Sequence, residues 1–114
     1  MKYTEVKAML DNIKTTYGVP YAYYAFPEKE APALPYITFY YPASRNIASD
    51  DDVYQLVEEL TVELYTENKD FTLEKNIESV FKANKIVWDK SEDYINSEHM
   101  FMITYETEIY IDGE

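Results

Sequence analysis

Between Leu56 and Phe81 the spacing of apolar residues changes from two to nearly four. Leu56, Leu60, Val62 and Leu64 recur on alternate positions with Glu59, Thr61 and Glu63 between them, which predicts a strand from about Val53 to Tyr65 with one buried face. Beyond the ENKD turn, Leu73, Ile77, Val80 and Phe81 fall at i, i+4, i+7 and i+8, one stripe of an α-helix. Asp70 is placed to cap that helix by accepting a main-chain hydrogen bond, and the helix is expected to end near Asn84. Glu58 breaks the alternation, because it falls on the side of Leu56 and Leu60. A bulge, a sheet end reaching past the core, or a contact between subunits would account for it.

The same reading extends along the chain. Val6, Met9, Leu10, Ile13 and Tyr17 form a helical stripe that Gly18 and Pro20 terminate, so a first helix is expected from about Thr4 to Tyr17. YAYYAF reads as a short strand, the PEKEAPALP cluster as a loop, and Tyr36 to Tyr41 as a strand ended by Pro42. ASRNIASDDD, with its turn formers and three consecutive carboxylates, is expected to be an exposed loop. Ile86, Val87 and Trp88 read as a short strand, DKSEDYINSE as a polar connection, and the segment from about His99 to Ile111 as a long strand. On that last strand Phe101, Ile103, Tyr105, Ile109 and Ile111 share one face. The expected order is α-β-β-β-α-β-β. It implies a single α+β domain over residues 1–114, with a largely antiparallel sheet and two helices packed on one face.

Composition narrows the classes of function. With 46% hydrophobic residues, 13 Tyr and only 2 Gly, the chain reads as a folded, sheet-rich protein. Zero Cys excludes disulfides and thiol chemistry. No apolar run matches a signal peptide or a membrane span, so a soluble protein made in the cytoplasm, with no membrane partner, is expected. The formal charge of -12 repels nucleic acid, and specific nucleic-acid binding is not expected.

No catalytic, cofactor-binding or metal site emerges from the residues. His99 is the sole histidine, so neither a Ser-His-Asp triad nor a multi-histidine metal site can be built within one chain. Asp50, Asp51 and Asp52 lack the alternation, central Gly and terminal Glu of a calcium loop. Glu59 and Glu63 share an outward strand face with no evident pocket, which argues against paired acid-base carboxylates. Tyr21, Tyr23, Tyr24, Tyr36, Tyr40 and Tyr41 crowd two strands, either as cross-strand packing or as an assembly surface. The candidate assembly or lumen residues are accordingly Asp50, Asp51, Asp52, Glu59, Glu63, Tyr23, Tyr24 and Tyr40.

Four segments together carry a resemblance: MKYTEVKAMLDNI, TVELYTENKD, LEKNIESVF and KIVWDKSEDYINSEHMFMITYETEI. Over nearly its whole length the chain resembles the tail terminator, or tail completion, proteins of long-tailed bacteriophages and prophages. The resemblance implies a homo-oligomeric ring, commonly a hexamer, that caps the tail tube and joins it to the head connector. Its partners would be further copies of itself, the tail tube protein and the head connector protein, first in the host cytoplasm and then at the head-tail junction of the virion. No enzymatic activity is implied. A second class remains open, an acidic mimic of DNA that blocks a host nuclease or DNA-binding protein.

Overall fold

The structure, a computed structural model, describes residues 1–48 and 54–112, with only the main chain of Tyr54 included. The candidate residues Asp50, Asp51 and Asp52 lie outside the described residues. The elements are α1 (Tyr3–Tyr17), β1 (Tyr21–Tyr23), β2 (Tyr36–Tyr40), β3 (Ser44–Ala48), β4 (Tyr54–Thr66), α2 (Phe71–Ala83), β5 (Trp88–Ile95) and β6 (Met100–Ile111). The strands form one six-stranded sheet in the order β1-β2-β4-β6-β5, with β3 also paired to β4. All pairs are antiparallel except β1 with β2. This is an α+β architecture.

The local signals in the sequence account for the helix ends. Gly18 adopts φ 72 after α1 and its N–H reaches the Lys14 carbonyl at 2.9 Å, a left-handed stop that glycine adopts without a Cβ penalty. At the start of α2 the Asp70 carboxylate accepts from the Leu73 N–H at 3.0 Å. Asp70→Ala is expected to cost about 1 kcal/mol, read as a shift in the urea midpoint at unchanged slope. A change below a few tenths would show that the cap contributes nothing.

Register fixes the two faces of the sheet. Leu60, Val62 and Leu64 of β4 stand opposite Thr107, Tyr105 and Ile103 of β6, and Val62 and Leu64 stand opposite Phe39 and Ile37 of β2. Contacts from both helices land on this face. The Tyr3 hydroxyl of α1 donates to Glu58, and Phe81 of α2 packs its ring on Tyr105 at 5.2 Å and on Trp88 at 5.9 Å. One core results, with Val6, Leu10, Ile13, Ile77 and Phe81 completely buried against the sheet.

Four expectations need correction. Ser44–Ala48, read as loop, is strand β3, paired with Tyr54–Glu58. All five of its residues are exposed, so burial leaves no alternation for the sequence to display. The predicted strand at Ile86–Trp88 begins only at Trp88, and the supposed polar connection DKSEDYI forms most of β5. YAYYAF keeps only three residues in β1, because Tyr24 turns away with φ 67. His99, expected to open the last strand, sits in the preceding turn with φ 51. The order becomes α-β-β-β-β-α-β-β.

Glu58 is explained within the chain. β4 keeps one register with β6 through this residue, so β4 itself has no bulge there. The extra residue lies in the neighbouring strand, where residues 41–43 stand against only 59 and 60 between the Tyr40–Thr61 and Ser44–Glu58 pairs. Glu58 is buried and accepts from the Tyr3 hydroxyl at 2.9 Å.

Candidate assembly surface

Two polar features stand out, one on each face of the sheet. On the helix side, Glu74 of α2 is 1% exposed and binds two ammonium groups, Lys69 Nζ at 2.7 Å and Lys90 Nζ at 2.7 Å. Lys90 also reaches Glu78 at 2.7 Å, the Tyr105 hydroxyl donates to Glu78 at 2.8 Å, and Lys69 pairs with Glu92 as well. Burial pushes the Glu78 carboxyl up, but the hydrogen bonds from Lys90 and Tyr105 outweigh it and hold the group below its ordinary value. Burial first, then the Glu78 carboxylate, drives the Tyr105 hydroxyl well above its usual range. Every member of this cluster has a partner, so it joins α2 to edge strand β5. Lys90 and Glu92, both facing inward, also blunt that edge against pairing with other strands.

The cluster went unrecognised in the sequence, although a signal existed. Glu74 and Glu78 flank the Leu73–Ile77–Phe81 stripe at i and i+4, which places both beside the buried face.

The other face carries no contact from either helix in the hydrogen bonds, ion pairs and ring contacts of the described residues. Its middle is a column of carboxylates. Glu59 of β4 stands directly opposite Glu108 of β6, and Glu106 stands directly opposite Asp89 of β5. Like charges in such positions, with Cβ atoms about 5 Å apart, repel. Among the described residues one ion pair relieves them, Arg45 to Glu108 at 2.9 Å. Glu63, one step further along, accepts from Thr38 at 3.2 Å and Tyr65 at 3.3 Å. Beyond it lies a row that is aromatic and apolar on β2, β4 and β6 and ends in Asp93 on β5: Tyr36 and Tyr65 stack with centroids 5.1 Å apart, Met102 is the register partner of Tyr65, and Asp93 that of Met102. Burial pushes the Tyr65 hydroxyl up to about 12.

The sequence-derived candidates divide between these faces. Glu59, Glu63 and Tyr40 share the helix-free face, and the ring of Tyr24, 70% exposed, leans on Tyr40 at 5.5 Å. Tyr23 pairs in register with Phe39 and therefore points to the opposite side, where its ring meets Phe39 at 5.1 Å. The tyrosines do not make one surface. Glu106, Glu108 and Asp89, which complete the acidic column, were missed because they approach Glu59 only through strand pairing.

An open notch of about 530 Å³ lies where β6 runs on past the start of β5, lined by Glu59, Lys85, Val87, Trp88, Glu106 and Tyr110 among others. No group of three His, Asp or Glu side chains among the described residues could hold a metal ion. No helix among the described residues is long and apolar enough to cross a membrane. The carboxylates are spread over three strands and suit an extended cationic surface better than a single ion. The chain is thus an α+β protein in which, among the described residues, one sheet face carries both helices and the other carries neither. No protein-family model and no curated protein matches it.

Proposed function

We propose that this chain is a structural, non-enzymatic assembly protein of a long-tailed bacteriophage or prophage. In this reading it is a tail terminator that forms a ring of its own copies, caps the tail tube and meets the head connector. The observation that supports the reading is the segregation of charge between the two layers. The helix-free sheet face carries Glu59, Glu63, Asp89, Asp93, Glu106 and Glu108 against Arg45. The outer side of the helices carries Lys7, Lys14, Lys75 and Lys82. Two acids share that side, Asp11, which pairs with Lys7 and accepts from Tyr21, and Glu5, which accepts from the Lys2 N–H, so Lys14, Lys75 and Lys82 are the cations there without an ion-pair partner among the described residues.

Complementary surfaces on opposite sides of one molecule associate head to tail, which closes a ring when the rotation permits. Carboxylates left facing the channel of such a ring would repel passing DNA and avoid trapping it. Electron microscopy of tail tubes mixed with the protein is expected to show a disc of added density at one tube end. Bare tube ends at saturating protein would remove the tail role.

The continuous column Glu59, Glu108, Glu106 and Asp89 also favours a second reading, a mimic of DNA phosphates that occupies a basic groove. That reading expects inhibition of a host nuclease or DNA-binding protein that fades as salt rises. It fails if the protein leaves DNA binding unchanged at low salt.

A further inference from the structure

We propose that the outer ridge of α2 in one copy docks on the helix-free sheet face of the next copy, lysines over carboxylates. The inference rests on the assembly reading and names the two surfaces that meet. α2 turns both of its acidic residues inward, Glu74 and Glu78, into the ion cluster with Lys69 and Lys90. Its outer ridge is left as Phe71, Lys75, Ser79 and Lys82, all exposed. Phe71 is 68% exposed, and neither Lys75 nor Lys82 has an ion-pair partner among the described residues.

Charge complementarity and spacing both select this face as the ridge's partner. Along the helix, Phe71 to Lys75 spans about 6 Å and Lys75 to Lys82 about 10.5 Å, at 1.5 Å per residue. Along the strands, successive rows on one face lie about 6.7 Å apart. The row of Tyr65 and Met102, with Asp93 at its β5 edge, is followed by Glu63, then by Glu106 with Asp89, then by Glu59 with Glu108. With Phe71 over Tyr65 and Met102, Lys75 falls at Glu63 and Lys82 between the two carboxylate pairs. The cross-strand repulsion that the monomer retains there is relieved by the incoming ammonium groups. A helix layer on the bare side of a sheet is also the ordinary way such a face is covered.

A charge-swap experiment tests the contact. One variant carries Lys75→Glu and Lys82→Glu, the other Glu59→Lys and Glu106→Lys; all four positions are exposed, and circular dichroism checks that both fold. Sedimentation at low salt is expected to show association of the native chain, weakened at least about tenfold in each variant alone. An equimolar mixture should restore it, because the reversed ridge of one variant fits the reversed face of the other and the native surfaces fit each other. Association of either single variant at native strength, no recovery in the mixture, or a native chain that stays monomeric at low salt would overturn the contact. Tube binding separates the two readings. A monomer that still decorates tube ends keeps the tail role and loses this contact, whereas swap-dependent association without tube binding keeps the contact and loses the tail role.

Discussion

Phe81→Ala is expected to remove about 3–5 kcal/mol of stability and lower the melting temperature by more than about 10 °C. Phe81 is completely buried, and its ring is the one through which α2 meets both Tyr105 of β6 and Trp88 at the start of β5. Truncation loses the transfer free energy of the ring and leaves a cavity between a helix and two strands that are fixed by their own ladders. Little collapse can fill it. Urea unfolding followed by circular dichroism measures the effect. A loss below about 1 kcal/mol would mean that α2 does not pack on the sheet through this residue.

Glu74→Ala is the second large effect, expected at about 2–4 kcal/mol, whereas cutting the exposed Arg45–Glu108 pair costs under about 1 kcal/mol. Removing Glu74 leaves two ammonium groups facing each other beside the core. The cost stays below the full value for a buried pair because Lys69 and Lys90 keep Glu92 and Glu78 and are themselves 26% and 34% exposed. A loss no larger than that of Arg45→Ala would show the cluster to be solvated.

The same cluster sets a pH dependence whose sign follows from its members. Glu78 is held below its ordinary carboxylate value, so its contribution is present above that ordinary value and fades as pH falls through its own lowered one. Burial pulls Lys69 and Lys90 down, but their carboxylate partners outweigh it and raise both. Their contribution is present below the ordinary lysine value and fades as pH rises through the raised one. Melting temperature should therefore fall at both extremes.

Much of the fold was legible because short-range periodicity carries it. The two helices, the Asp70 cap, the Gly18 stop and the burial pattern of β4 and β6 each depend on residues within one or two turns or on strict alternation. β3 and most of β5 were hidden for the opposite reason. Their residues are mainly polar and exposed, and main-chain pairing with β4 and β6 makes them strands. Alternation alone places Glu59 and Glu63 in one outward row and Glu106 and Glu108 in another, but it does not show that the two rows adjoin. Nothing within either strand announces that Glu108 will face Glu59 or that Asp89 will face Glu106.

The sequence alone determined the elements with strong periods, the α+β class and the acidic balance, since each is a property of neighbouring residues or of a sum over them. Only the tertiary structure decided which charges meet. It buried Glu74 between two lysines, separated Tyr23 from Tyr24 and Tyr40, and gathered carboxylates from three strands on the helix-free face. Strand register acts over distances in the chain that no local pattern spans, and a shift of one residue would exchange the faces.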